Sequence, residues 1–256
     1  MRNIVIKLEY DGTKFKGWQK QPNTKTIQND LEKVLSKILS EDIEVVGSGR
    51  TDTNVSAYAQ VANFKTNNDT VSLKGIKMGV NSKLRGSLAI TKISEVDLEF
   101  NSRFDAKKKT YVYILNENDY YSALNGNREY YVGKKLDIEK MQEAAKYLVG
   151  THDFKGFKSS GSPKKTTVRT IYSLEVKKID RGLFKEKKEE NSRIAIKITG
   201  NGFLYNMVRI ISGTLLEVGL GKIKPTKVLE ILETKDRTKA GKTLPGNGLI
   251  LYSVEY

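Results

Sequence analysis

Strand patterns and helix patterns interleave along this chain without the regular spacing of β-α-β units. Residues 3–10 alternate apolar and polar side chains as a strand does, whereas residues 27–39 repeat apolar side chains at helical spacing. Strand patterns recur at 58–64, 87–96, 104–115, 167–178, 192–199 and 249–256. Helix patterns recur at 71–84, 137–149 and 225–234, and residues 200–219 start with glycines and continue as an apolar-rich helix. This interleaving predicts an α+β fold with a largely antiparallel sheet and helices on one face. No low-complexity linker separates the two halves, so we expect one continuous sheet.

The chain carries a strong excess of positive charge, with a formal net charge of +15 over 256 residues. Such a field attracts polyanions and speeds their encounter, which favours a nucleic-acid partner. A source with lysine-rich proteins would give the same excess, so the charge alone leaves both interpretations open. Only 10 of the 45 basic residues are arginine, and each arginine is therefore more informative than a lysine.

The composition also limits the chemistry available to the chain. It has no cysteine, which excludes disulfides, thiol nucleophiles and thiolate-bound metals. The context of its one histidine, His152, predicts a helix end followed by a turn and favours a structural role. No window approaches the roughly 18 apolar residues of a membrane span, and the first residues lack the features of a signal peptide. We expect a cytoplasmic protein.

The stretch GSGRTDTNVSAYAQ, residues 47–60, places Arg50 and Asp52 two residues apart in a glycine-rich bend. In an extended segment the two side chains share a face, and a guanidinium beside a carboxylate favours the ionised acid. An ionised, desolvated carboxylate can act as a covalent nucleophile. A turn aspartate that makes only a local hydrogen bond fits the same pattern, and the stretch alone does not decide between them.

A second acidic motif, DGT at residues 11–13, follows the first strand. Phosphatases of the haloacid dehalogenase type carry DxDGT at such a place, and their nucleophile is the first aspartate. Here that position holds Glu9, and no downstream acidic pair for Mg²⁺ stands out. The motif therefore favours simple turn chemistry.

Taken together, the motifs resemble those of the TruA family of tRNA pseudouridine synthases. GRTDTNVSAYAQVANF resembles the family signature GRTDxGVxAxxQVxxF. Counterparts in the same order are YDGTKFKGWQKQPNTKTIQNDLE, MGVNSKL, NSRFDAKKKTYVYIL, GTHDFKGF, TVRTIY, GNGFLYNMVRIISGTLLEVG and DRTKAGKTLPGNGLILYSVEY. The resemblance covers essentially the whole chain.

The resemblance implies two α/β subdomains that share an antiparallel-rich sheet, with an RNA cleft on the face opposite the helices. We expect an N-terminal subdomain over residues 1–104 and a C-terminal subdomain over residues 105–256. It also implies a homodimer in which one tRNA contacts both subunits, and isologous two-fold dimers are common in general. No cofactor or metal is implied.

The implied reaction isomerises uridine to pseudouridine: the base detaches from C1′, turns, and reattaches through C5. Asp52 falls on the position of the family's catalytic aspartate, which acts as the nucleophile. Arg50 falls on the arginine of the same motif, with implied roles in filling the base stack and orienting Asp52. Extruding a base costs a few kcal/mol, and the usual family targets are uridines 38, 39 and 40 of the anticodon stem-loop.

Three further residues gain a role from the resemblance. Tyr111 aligns with the tyrosine that stacks on the flipped uracil, although a core aromatic would fit the strand equally, as we expect for Tyr113. Arg209 aligns with the arginine that pairs with the catalytic carboxylate. A guanidinium inside an apolar helix needs a buried partner, and Asp52 would supply one. Leu249 is expected to form part of the apolar floor under the base.

The chain departs from the family pattern just after the aspartate. Thr53 and Asn54 replace a small residue and a glycine, and Ser56 stands where bacterial members often have histidine. Asparagine tolerates a positive φ angle as glycine does, so we expect the turn to survive. The changes leave two alternatives open: a paralogue that modifies other tRNA positions or another RNA, and a non-catalytic RNA-binding relative.

Overall fold

The computed structural model describes residues 1–161, 166–179 and 193–256. It divides into two compact units, one formed by Met1–Lys107 with Ile250–Tyr256 and the other by Lys108–Leu249. The predicted division fell three residues earlier and assigned the last strand to the C-terminal half. Residues 250–255 of the last strand lie in the first unit, where Ile250 and Leu251 pair with Ser56 and Ala57. A solvated hairpin expected at residues 180–191 lies outside the described residues.

The first unit is a sheet with two helices. Its elements are β1 (Arg2–Tyr10), α1 (Ile27–Leu39), β2 (Val46–Gly47), β3 (Ser56–Thr66), α2 (Leu73–Lys83), β4 (Leu88–Val96) and β10 (Leu249–Glu255). The first residue of β10, Leu249, belongs to the second unit. The strands follow the order β4-β1-β3-β10, and β2 pairs with β3. All these pairs are antiparallel except β3 with β10, which is parallel.

The core of the first unit follows from the predicted periodicities. Ile4 lies opposite Phe64 in the β1–β3 register, and both side chains are buried together with the apolar stripe of α1. As predicted, Thr26 caps α1, since its side chain accepts a hydrogen bond from the Asn29 amide. The sheet therefore holds the segment between β2 and β3, which contains Asp52, on a packed scaffold.

The second unit combines a sheet with three helices. Its elements are β5 (Lys108–Asn116), β6 (Tyr130–Tyr131), α3 (Ile138–Lys146), β7 (Gly150–Asp153), β8 (Val168–Ile179), β9 (Arg193–Gly200), α4 (Met207–Gly219) and α5 (Lys227–Thr234). Antiparallel pairing gives the order β5-β9-β8-β7, and β6 adds to β5 in parallel. The α+β class and the largely antiparallel pairing are thus confirmed.

The prediction differs from the structure around His152. We expected a helix to Val149 and then a turn, but α3 ends at Lys146 and residues 150–153 form β7. Gly150, the first residue of β7, has a φ of +115°, a backbone conformation that favours glycine. The His152 ring packs edge-on against Phe154 at 5.7 Å between ring centroids, and its Nε2 lies 3.1 Å from the Val149 carbonyl oxygen. These contacts are structural ones, as expected.

Candidate functional site

Asp52 lies in the turn that joins β2 to β3 in the first unit. The amide of Val55 donates to the carbonyl oxygen of Asp52 at 3.1 Å, which closes the turn. Asn54 has a φ of +66°, so the asparagine does occupy the left-handed conformation that was expected of it. Asp52 is half-buried, and Arg50 is exposed. The turn that was expected to survive with Thr53 and Asn54 is therefore formed.

Neutral hydrogen bonds from buried side chains hold this turn. The Tyr10 hydroxyl shares a hydrogen bond of 2.9 Å with Oγ1 of Thr51. Gln60 accepts from the Ser48 hydroxyl at 2.6 Å and donates to the Gly49 carbonyl at 2.8 Å. Burial raises the pKa of the Tyr10 phenol, so the hydroxyl stays neutral at physiological pH. The residue next to Asp52 is thus fixed from the sheet.

The loop between β1 and α1 packs behind the turn. Gly17 has a φ of +89°, and a Cβ there would lie 2.8 Å from the Thr51 carbonyl oxygen. The Trp18 amide donates to that same oxygen at 3.0 Å, and the buried indole lies against Gly47. The supporting role of this loop was not predicted from the sequence. A signal for it was present, because Trp18, the only tryptophan of the chain, directly follows Gly17.

The departure at Ser56 also has a structural account. Its Oγ accepts a hydrogen bond of 3.0 Å from the Gly12 amide, and a Cβ on Gly12 would overlap the Val55 carbonyl. The DGT segment is a turn, because the Asp11 carboxylate accepts from the Thr13 amide and hydroxyl. Gly12 and Ser56 together tie that turn to the end of the Asp52 segment.

In the second unit, β5 carries two tyrosines with different surroundings. Tyr111 retains 8% exposure, and its ring meets Phe203 edge-on with 5.3 Å between centroids. Tyr113 has no exposed surface, which confirms it as a core residue, and its hydroxyl donates to the Pro245 carbonyl at 2.8 Å. Burial raises the pKa of the Tyr113 phenol, and the positive charge of Arg209 opposes that shift only in part.

Arg209 lies in the first turn of α4 and is half-buried. Its Nε donates to the Leu244 carbonyl at 2.7 Å, and its Nη1 donates to Oδ1 of Asn206 at 2.5 Å. The Leu244 amide in turn donates to the Arg209 carbonyl at 3.3 Å. A guanidinium among apolar side chains needs hydrogen-bond partners, and two of the acceptors of Arg209 come from its own unit.

Two glycines allow the segment around Leu244 to reach α4. A Cβ on Gly213 would lie 1.9 Å from the Lys242 carbonyl oxygen, and one on Gly241 would lie 2.6 Å from the Gly213 carbonyl carbon. Oγ1 of Thr214 accepts from the Gly241 amide at 3.0 Å. The crossing brings backbone against backbone, and the Leu244 carbonyl thereby meets Arg209.

Leu249 begins β10 and is 5% exposed. It follows a 3-10 turn, Gly246–Gly248, whose last glycine packs against the Tyr113 ring. Arg50 and Asp52 thus share one turn of the first unit, and Tyr111, Arg209 and Leu249 belong to the second.

Among the residues that the structure describes, no group of three or more His, Asp or Glu side chains could hold a metal ion. None of the described helices is long and apolar enough to cross a bilayer.

Comparison with known proteins identifies the family. A family model described as tRNA pseudouridine synthase matches residues 7–105 and 144–256. A tRNA pseudouridine synthase A from Caldicellulosiruptor bescii is 46% identical over 256 residues, 100% of each chain. A tRNA pseudouridine synthase A 2 from Clostridium tetani is 46% identical over 100% of this chain and 99% of its own. The chain belongs to the tRNA pseudouridine synthase family, a family of isomerases.

The two kinds of match differ in what they cover. The family model leaves out residues 106–143 and so does not reach Tyr111, whereas the relatives align along the whole chain. A solved structure, the archaeal box H/ACA sRNP Nop10-Cbf5 complex, is 13% identical with a TM-score of 0.34, over 98% of this chain and 46% of that one. That likeness is too weak to add to the assignment.

Proposed function

We propose that this protein isomerises uridine to pseudouridine in tRNA. The observation that carries the proposal is the full-length match to relatives named tRNA pseudouridine synthase A. In this reaction the bond from C1′ to N1 breaks, the base turns, and a bond from C1′ to C5 forms. The proton on C5 is lost and N1 gains one, so atoms and electrons balance without an external reactant.

Asp52 is the proposed nucleophile. A carboxylate in a turn that is tied down on both sides loses little further freedom when it meets a flipped nucleotide, which favours reaction. The neutral anchors at Tyr10 and Gln60 bring no charge that would compete for it. Its half-buried position agrees with a group that is reached from solvent by an extruded base.

The other four residues are proposed to bind the substrate. Tyr111 stacks on the uracil, and its edge contact with Phe203 leaves the orientation of the ring defined. Arg50, which is exposed, fills the stack that the uridine leaves. Arg209 supplies positive charge from a fixed guanidinium, and Leu249 supplies apolar surface under the base.

We further propose that the protein works as a cytoplasmic homodimer on uridines 38, 39 and 40 of the anticodon stem-loop. The net charge of +15 suits a polyanionic substrate. Unpaired loops and stem ends are the places where base extrusion costs least. One alternative is supported by a specific observation, namely that this protein is a paralogue with other target uridines. Relatives named tRNA pseudouridine synthase A and tRNA pseudouridine synthase A 2 are equally similar to this chain, at 46% identity.

The test of the reaction is tritium release from tRNA that contains C5-tritiated uridine, in buffer with EDTA. We expect stoichiometric release by the wild type, and its absence would overturn the proposed reaction on tRNA and leave an enzyme for another RNA or a non-catalytic RNA-binding relative. Pseudouridine mapping in total RNA with and without the gene identifies the targets. If deletion of the gene removes pseudouridine only at positions other than 38–40, the paralogue is favoured. Light scattering measures whether the protein is a dimer in solution.

A further inference from the structure

Asn206 stands immediately before α4 and has an unusual conformation for a helix start. Its φ is +60° and its ψ is +6°, in the left-handed region. Asparagine at this place ordinarily caps the helix by accepting from an amide of the first turn. Here the side chain makes no capping hydrogen bond. The side-chain amide of Asn206 therefore makes its hydrogen bonds with groups other than the amides of the first helical turn.

The oxygen of that amide faces Arg209. Nη1 of Arg209, the third residue of α4, donates to Oδ1 of Asn206, the residue before the helix, at 2.5 Å. A guanidinium can only donate hydrogen bonds, so the oxygen end of the amide must be the one that meets it. Nε of Arg209 donates to a backbone carbonyl, that of Leu244.

The nitrogen of the amide faces Ser159. Nδ2 of Asn206 donates to the Ser159 hydroxyl at 3.0 Å, and the Ser159 amide donates to the Tyr205 carbonyl at 3.2 Å. The segment around Ser159 thus fixes the amide plane from the side opposite Arg209. Serine, asparagine and arginine form a chain of hydrogen bonds that ends on the guanidinium.

We propose that Asn206 is a positioning residue for the isomerisation, which acts by orienting the Arg209 guanidinium toward the nucleotide. The inference rests on the proposed function of Arg209. A hydrogen bond between neutral oxygen and charged donor is among the stronger kinds. The forgone helix cap is the structural cost of giving this acceptor to Arg209.

The test compares Asn206→Gly with Asn206→Asp. Glycine accepts the left-handed backbone and removes the side chain, whereas aspartate also tolerates that backbone and keeps an acceptor for Arg209. We expect Asn206→Gly to slow single-turnover tritium release about tenfold, the equivalent of one lost charge-assisted hydrogen bond. We expect tRNA affinity within about twofold of the wild type. Asn206→Asp should stay within about threefold in rate, and Ser159→Ala should fall between the two.

Each result decides the matter. Equal rates for Asn206→Gly and the wild type would overturn the proposal, and so would equal slowing by the glycine and aspartate variants. A fall in Tm of more than about 10 °C in Asn206→Gly would make the role structural and would also overturn it. Absence of release by the wild type itself would instead overturn the proposed function.

Discussion

Each unit uses a buried tyrosine hydroxyl to hold a segment that carries a candidate site residue. In the first unit, Tyr10 bonds to the side chain of Thr51, next to Asp52. In the second, Tyr113 donates to the backbone carbonyl of Pro245, four residues before Leu249. The tyrosine of the first unit thus meets a side chain of its segment, whereas the tyrosine of the second unit meets the backbone of its segment.

The difference is reinforced by the neighbouring contacts. The Asp52 turn is further held by Gln60 through Ser48 and Gly49. The segment before Leu249 is held by backbone contact with α4, at Gly213. Side-chain anchors can be removed one at a time with moderate effect, whereas a backbone crossing fails as a whole when any atom is added.

The largest effect is expected from Gly213→Ala. Its Cβ would lie 1.9 Å from the Lys242 carbonyl oxygen, and neither helix nor crossing segment can move away cheaply. We expect the free energy of unfolding to fall by about 3 kcal/mol or more in urea titration. The matched control is Gly75→Ala in α2, where the nearest atom is Ser72 Oγ at 3.3 Å. That variant should be neutral or gain up to about 1 kcal/mol, and equal losses in both would refute the crossing argument.

A smaller effect is expected from Gln60→Leu in the first unit. The change leaves the Gly49 carbonyl without the buried amide that donates to it and removes one of the partners of the Ser48 hydroxyl, at a cost of about 2 kcal/mol in unfolding free energy. Gln142→Leu is the control, because Gln142 is exposed and water can replace its bond to the Val176 carbonyl. The control should stay within about 0.5 kcal/mol. If Gln60→Leu were as stable as Gln142→Leu, the Gln60 side chain would not be an anchor of the Asp52 turn.

Tyr10→Phe should cost less, because one hydroxyl is removed and the ring stays packed. We expect a loss of about 1 kcal/mol, and Thr51→Val should produce no further loss in the Tyr10→Phe background. Tyr58→Phe is the control, since that ring is 46% exposed. Additive losses from Tyr10→Phe and Thr51→Val in urea titration would show that the two residues do not act through their shared bond.

The smallest effect concerns alkaline pH. Burial raises the pKa of Tyr10 above its unfolded value, so the unfolded chain releases this proton first as the pH rises above about 10. Stability from the neutral phenol is complete below that pH and is lost above it. At pH 10.5 the advantage of wild type over Tyr10→Phe should shrink by about 0.8 kcal/mol relative to pH 8. An advantage that grows with pH would contradict the buried, neutral phenol.

The sequence predicted best what local chemistry decides. Thr26 as a helix cap, Asn54 at positive φ and the turn at Asp11 each depend on neighbouring residues, and all three are confirmed. Tyr113 could be assigned to the core because the alternation of its strand is strong. The glycine-rich bend made Asp52 one of two open possibilities, a nucleophile or a turn aspartate, and the family resemblance then favoured the nucleophile and added Tyr111 and Arg209 as candidates.

Contacts between distant residues left little trace in the sequence. Gly17 against Thr51 and Gly213 against Lys242 join segments that are far apart along the chain, so no local pattern reports them. Gly213 did carry a signal, because glycine is unfavourable inside an apolar helix unless something approaches closely. The strand at 150–153 was missed because its sequence also suits a turn.

The central claim is that the carboxylate of Asp52, fixed in its turn, reacts with the extruded uridine. The most direct measurement is single-turnover tritium release by Asp52→Asn, with tRNA binding measured on the same preparation. The asparagine keeps the size of the side chain and removes the negative charge. We predict release at background level and a tRNA affinity within about threefold of the wild type. Release by the variant at the wild-type rate would contradict the account.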